Sequence, residues 1–146
     1  MTAPRDQPPE TPTRVGVGLV RRGDRFLVRQ RPEGSALAGL WEFPGGKCQP
    51  GEATDDATRR ECREELGIDV RVVGLRRVVG FRYPHDRVEL YYHDCVTCDP
   101  AAQPGPGTGF RWVAASGFRS LAFPEANGPI LDDLAREYPG QAPSGA

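Results

Sequence analysis

Glu61, Glu64 and Glu65 stand at i, i+3 and i+4 in a run, Thr54 to Leu66, that lacks Gly and Pro and consists of helix formers. In a helix these three carboxylates project the same way. Glu52 sits just before the run, across its first turn. Like charges so close repel, and a helix left to itself gains nothing by collecting them. Two readings stay open. A divalent cation would remove the repulsion, and oxygen ligands at this density, with no Cys/His set nearby, suit Mg²⁺ or Mn²⁺ rather than zinc. The other reading is a solvated acidic face, neutralised in pairs by Arg59, Arg60 and Arg63. The Gly-rich approach at Pro44-Gly45-Gly46 favours the cation, because such a loop can bring a backbone carbonyl to the same point.

The helix has clear ends. Asp55 and Asp56 fall in its first turn, where the dipole favours them, and Gly67 follows in the usual C-terminal position. Before it, Arg14–Arg21 alternates and is Val-rich, which predicts a strand; Arg22-Gly23-Asp24-Arg25 is a turn and Phe26–Arg29 the returning strand. Residues 30–40 read as a loop, and the paired glycines after Pro44 as a tight backbone path rather than a regular element. After the helix come a strand over Ile68–Val79 interrupted by Gly74, a turn at Pro84-His85-Asp86, and a strand over Val88–Cys98. A flexible loop over 99–109, a short strand Phe110–Ala114, a helical turn within 116–123 and a last helix Pro129–Glu137 complete the pattern. Strands alternating irregularly with one strong and one weaker helix predict a layered, mixed α/β domain over 14–138. Residues 1–13, polar with four prolines, are expected to be a disordered lead-in, and 139–146 a flexible tail.

A chain of 146 residues suits one core. Nineteen Lys plus Arg against twenty Asp plus Glu leave a formal net charge of −1, which argues against a stable nucleic-acid partner held by bulk electrostatics. A small phosphorylated ligand needs only a local site. The absence of an 18-residue apolar run or a signal-peptide pattern leads us to expect no membrane partner and a cytoplasmic location. A monomer or small homo-oligomer is expected. Cys48, Cys62, Cys95 and Cys98 are then expected as free thiols; the Cys95–Cys98 pair has CxxC spacing but no second pair and no following helix.

Gly46-Lys47-Cys48-Gln49-Pro50-Gly51-Glu52 and, eight residues on from Glu52, Arg60-Glu61-Cys62-Arg63-Glu64-Glu65-Leu66-Gly67-Ile68 together resemble the Nudix hydrolase signature. Every fixed position of that 23-residue pattern is filled, with Cys62 at the tolerant apolar place. The resemblance implies a mixed β-sheet sandwiched between helices, with the signature as loop–helix–loop, and hydrolysis of a nucleoside diphosphate linked to another moiety. It further implies that Glu61, Glu64, Glu65 and the Gly46 carbonyl hold Mg²⁺, for which Mn²⁺ can substitute. It implies that Glu52 supports the site, that Arg60 orients the carboxylates, and that Glu64 or Glu65 accepts a proton from a metal-activated water.

The flanking residues resemble one subgroup. Leu40-Trp41-Glu42-Phe43-Pro44-Gly45-Gly46-Lys47 is similar to the entry to the signature in MutT-type enzymes, the 8-oxo-dGTP diphosphatases that clean the nucleotide pool. Phe123-Pro124-Glu125-Ala126-Asn127 resembles the segment whose asparagine reads a purine edge, and Tyr83–Arg87 loosely resembles a strand turn of that subgroup. The Asn127 amide offers a donor and an acceptor, which suits a base edge; it equally suits a cap on the helix that Pro129 begins. Phe43 either lines the base pocket or packs in the core, and Arg31 either touches ligand or stands exposed. Tyr83, Tyr91 and Tyr92 are stacking candidates, with alternation sending one of the adjacent pair to the core. His85 and His93 are read as turn and strand residues. One departure stands out: Gly105–Trp112 carries no acid where related enzymes commonly place a further glutamate, a role left to a residue such as Glu89. That departure opens a pyrimidine triphosphate as substrate. The expected activity is conversion of a nucleoside triphosphate to monophosphate and pyrophosphate. The alternatives are another nucleoside diphosphate-linked substrate (a nucleotide sugar or a dinucleoside polyphosphate) or a non-catalytic nucleotide-binding module.

Overall fold

The computed structural model describes residues 11–84 and 86–140. Residues 1–10, 85 and 141–146, and with them most of the expected lead-in and tail and the expected turn residue His85, lie outside the described residues. The strands are β1 (Thr13–Arg22), β2 (Arg25–Gln30), β3 (Trp41–Glu42), β4 (Gly45–Lys47), β5 (Val70–Tyr83), β6 (Asp86–Thr97) and β7 (Arg111–Ala114). The helices are α1 (Thr54–Leu66) and α2 (Gly128–Glu137), with 3₁₀ turns at Ala115–Ser120 and Glu125–Asn127.

The Val-rich alternation of β1 makes it the spine of one mixed sheet of order β3-β2-β1-β6-β5, with β4 added on β1 and β7 on β2. β1 runs parallel to β6 from Thr13↔Val88 to Val20↔Cys95; its other edge meets β4 at Val15–Val17 and β2 at Arg21 and Arg22. Alternate residues of β1 serve opposite faces. Val17 and Leu19 join a core with Phe26, Phe43, Tyr92 and Ile130 on the α2 side. Val20 joins one with Leu27, Cys62, Leu66 and Cys95 on the α1 side. The sheet is therefore flanked by a helix on each face, as expected.

Glycines in β1 set the depth of α1. The row Thr54, Thr58, Cys62 and Leu66 is buried, and it lies over Gly16 and Gly18. A Cβ on Gly16 would stand 2.5 Å from the Thr54 carbonyl oxygen and 2.6 Å from Thr58 Oγ1, and one on Gly18 would stand 3.0 Å from Cys62 Sγ. The neighbouring row of α1, carrying Glu61 and Glu65, is thereby brought down beside β4.

Two expected elements are corrected. Gly45-Gly46 is not merely a tight path: it begins β4, antiparallel to β1, with Gly45 opposite Val17 and Gly46 opposite Gly16. A Cβ at Gly45 would run into the Gly16 carbonyl oxygen, so the pairing exists because the side chain does not. The strand expected over Ile68–Val79 starts at Val70 and continues to Tyr83. Its long antiparallel pairing with β6, from Val70↔Thr97 to Tyr83↔Asp86, absorbs Gly74 with register shifts at Val72/Gly74 and Leu75/Arg77 and carries Gly80 in register opposite Glu89. α1 ends as expected at Gly67, which adopts φ 71°. α2 is fixed by buried Ile130 and Leu134 and by Arg77–Asp133 contacts to β5 at 2.7 and 3.0 Å. All four cysteines are free, with Cys62 and Cys95 buried. Among the described residues no helix is long and apolar enough to cross a membrane.

Candidate active site

The loop from β4 into α1 is closed by Glu52. Its Oε1 accepts the Gln49 N–H at 2.9 Å while its own N–H donates to the Gln49 carbonyl at 2.9 Å. The same carboxylate takes a fork from Arg60: Nε to Oε2 and Nη2 to Oε1, both 2.9 Å. This pairing, with the Gln49 N–H, holds the Glu52 carboxyl down at about 2. Arg60 reaches further, with Nη1 donating to Glu61 Oε1 at 2.9 Å and to Glu64 Oε2 at 3.3 Å, and Nη2 to the Lys47 carbonyl at 3.1 Å. One guanidinium thus ties the loop to the acidic face of α1. Arg59 and Arg63 turn elsewhere, to Asp55 and Asp56 and to Asp69.

Glu65 stands apart from that arginine. Its Oε2 accepts the Gly45 N–H at 3.1 Å. Burial first, then the neighbouring charges of Glu61 and Glu42, push its carboxyl up to about 7 against the pull of Gly45 and Arg29. Gly46 fits against Glu61 so closely that a Cβ there would collide with the Glu61 carboxylate carbon and lie 2.5 Å from its Oε1. Glu64 is the exposed member, with 56% of its side chain accessible. Among the described residues no group of three or more Asp, Glu, His or Cys side chains closes on one point as a finished metal cage. The donors present nonetheless fit a hard divalent cation. They are carboxylate oxygens with a glycine backbone laid against one of them, and the ionised form of the half-buried Glu65, disfavoured beside Glu61 and Glu42, is one that a cation would stabilise.

On the opposite face of the sheet lies a cleft of ≈ 170 Å³ lined by Val17, Glu42, Phe43, Tyr83, Leu90 and Asn127, among others. Two sequence-derived substrate residues, Phe43 and Asn127, therefore meet in one place. Phe43 packs in the core, 6% exposed, stacking on Phe123 and meeting Phe118 edge-on, and also lines the cleft. Asn127 occupies the N-cap position of α2, yet its side chain makes no cap bond. Instead its Oδ1 accepts the Tyr92 O–H at 2.6 Å. Arg31 is outside the lining; its Nη1 donates to Glu42 Oε1 at 2.9 Å and its Nε to the Ala36 carbonyl at 2.5 Å. Of the adjacent tyrosines, Tyr92 turns to the core, while Tyr91 lies on the other face under Arg14, its hydroxyl bonded to Glu89 at 3.0 Å. His93 is buried beneath the start of α1, with Nε2 2.9 Å from Thr54 Oγ1.

Glu42 is the cleft residue to which the sequence reading gave no role, and Tyr92, a stacking candidate there, instead bonds Asn127. Glu42 receives both Arg29 and Arg31, lines the cleft, and its charge helps to raise the Glu65 carboxyl. Its position directly before Phe43-Pro44-Gly45-Gly46 was the available signal.

The mixed sheet between two helices, with a complete carboxylate–arginine helix entered through paired glycines, agrees with a family of phosphoanhydride hydrolases. The NUDIX domain model matches residues 16–133, and the chain belongs to that family. It is 32% identical over 131 residues to "Putative 8-oxo-dGTP diphosphatase 2" of Mycobacterium tuberculosis, covering 88% of this chain and 92% of that one. It is 48% identical over 58 residues to the CTP pyrophosphohydrolase of Escherichia coli, a match covering 40% of this chain and 43% of the other. Among solved structures it resembles the MutT protein of Methanosarcina mazei Go1 with TM-score 0.73 at 25% identity, covering 88% and 96% of the two chains.

Proposed function

We propose that the protein hydrolyses a nucleoside triphosphate, with 8-oxo-dGTP the leading candidate, to the monophosphate and pyrophosphate, and that residues 14–138 are the catalytic unit acting in the cytoplasmic nucleotide pool. The observation that supports this is the complete carboxylate–arginine helix, with Glu52 and Arg60 tied to Glu61 and Glu64, on a chain whose separate cleft brings Phe43 and Asn127 together. In this reading Glu61, Glu64, Glu65 and the Gly46 carbonyl hold Mg²⁺ or Mn²⁺. When bound, the cation neutralises the diphosphate oxygens and the charge that develops on them. Arg60, fixed by Glu52, keeps Glu61 and Glu64 aimed at the site. Glu64 or Glu65 accepts the proton of the attacking water. Asn127 meets the base edge.

The test is a panel of nucleotides with Mg²⁺ and Mn²⁺, followed by product identification. Pyrophosphate release, abolished in Glu64→Gln or Glu65→Gln, is expected; folded protein that releases nothing from any triphosphate refutes the reading. A second reading, a pyrimidine triphosphate, is favoured by the acid-free Gly105–Trp112 segment and by the similarity to the CTP enzyme. The same panel separates the two. Sugar phosphate or orthophosphate as product would point instead to a nucleotide sugar or dinucleoside polyphosphate.

A further inference from the structure

The Tyr92–Asn127 contact constrains which base the cleft accepts. Tyr92 is fully buried and belongs to the apolar cluster of Val17, Leu19, Phe43 and Ile130. Its hydroxyl therefore has to place its hydrogen on a protein acceptor, and the one it reaches is Asn127 Oδ1, at 2.6 Å. Burial also keeps the phenol protonated, its ionisation pushed well above the ordinary range. If the amide were turned over, its NH₂ would donate to the tyrosine oxygen and the hydroxyl hydrogen would be left unpaired in apolar surroundings, a costly arrangement. The NH₂ of Asn127 is not spent elsewhere: it donates to no acceptor among the described residues and is not a buried orphan. An asparagine free to turn over offers a base either a donor or an acceptor. This one is held with its donor end available to the cleft.

We infer that Tyr92 is a specificity-determining positioning residue, which fixes the Asn127 amide so that the cleft presents an N–H donor and selects bases carrying a carbonyl, rather than an amino group, on the edge that Asn127 meets. Guanine O6 and thymine or uracil O4 are such acceptors, whereas adenine N6 and cytosine N4 are donors. The inference rests on the reading of the cleft as the base site, and it favours oxo-bases over CTP.

The test uses the full chain and needs no cation. Affinities for dGMP, dTMP, dAMP and dCMP are measured by calorimetry in EDTA for the wild type and for Tyr92→Phe, Asn127→Asp and Asn127→Ala. The wild type prefers dGMP and dTMP. Tyr92→Phe, which keeps the ring, reduces that preference by about tenfold, the cost of releasing one oriented hydrogen bond. Asn127→Asp, which keeps an acceptor for Tyr92 but offers the base no donor, inverts the preference toward dAMP and dCMP and covers the case in which Tyr92→Phe does not fold. In turnover with Mg²⁺ the Tyr92→Phe loss on dGTP falls on KM rather than kcat. Loss of preference in Asn127→Ala with full preference in Tyr92→Phe overturns the role of Tyr92 while leaving the base cleft standing. Wild-type affinities in Asn127→Ala overturn the cleft reading itself. A wild type that prefers dAMP or dCMP overturns the orientation.

Discussion

Replacing Glu65 by Gln should reshape the pH dependence of stability in the metal-free protein. In the fold this carboxyl sits at about 7, against 4.5 ordinarily, because it is buried beside Glu61 and Glu42. Below pH 4.5 it is protonated in both folded and unfolded chains and contributes nothing to the difference. Between 4.5 and 7 the unfolded chain ionises first, so stability falls as pH rises, and the loss is complete above about 7. The full displacement would correspond to about 3 kcal/mol, and partial solvent access reduces this to about 1–2 kcal/mol. Gln is neutral throughout and retains an oxygen for the Gly45 N–H, so any cost independent of pH cancels between two pH values. Thermal unfolding in EDTA at about pH 5 and about pH 8.5 should show the variant gaining about 3–6 °C on the wild type at the higher pH. Mg²⁺ added at the higher pH should raise the wild-type midpoint more than that of the variant. Parallel behaviour of the two proteins across the pH range would refute the argument that burial and the neighbouring carboxylates load this residue.

Three further outcomes are expected. Gly46→Ala places a methyl against the Glu61 carboxylate and should lower kcat/KM by about a hundredfold, with the fold retained by circular dichroism. Gly16→Ala forces α1 away from β1 at Thr54 and Thr58 and should cost about 1–3 kcal/mol in urea unfolding, with activity falling alongside. The Glu52–Arg60 fork stabilises the fold fully above about 4.5 and is lost as pH falls through about 2, so Glu52→Gln should flatten the acid limb of the unfolding curve while lowering activity at neutral pH.

The carboxylate site was legible because it is local. Its carboxylates fall within one unbroken helical run and the loop before it, and Gly67 marks the end of the run unambiguously. β4 was not legible, since glycines have no strand propensity. Its pairing follows from the missing side chains at Gly45 and Gly46 and from β1 lying opposite them. The extent of β5 was hidden for a related reason: Gly74 and Gly80 interrupt the pattern, and only the length of the β6 partner carries the strand across them. The cleft contacts are non-local. Tyr92 reaches Asn127 across 35 residues and Arg29 reaches Glu42 across 13, distances at which residue type says nothing about pairing. The amide of Asn127 was recognisable as suited to a base; that its oxygen is claimed by a tyrosine was not.

The alternation of β1 and β6 separates two tasks that one substrate imposes. Gly16 and His93 face α1 and set the depth of the hydrolytic helix, while Val17, Leu90 and Tyr92, their neighbours in sequence, face the cleft or the core behind it. A substitution at any one position therefore alters one face only. With the cleft as the base site proposed above, a lineage could exchange the base it accepts by changing residues of the second set without disturbing the depth of α1, so the chemistry of bond cleavage can be inherited intact while the choice of nucleotide drifts.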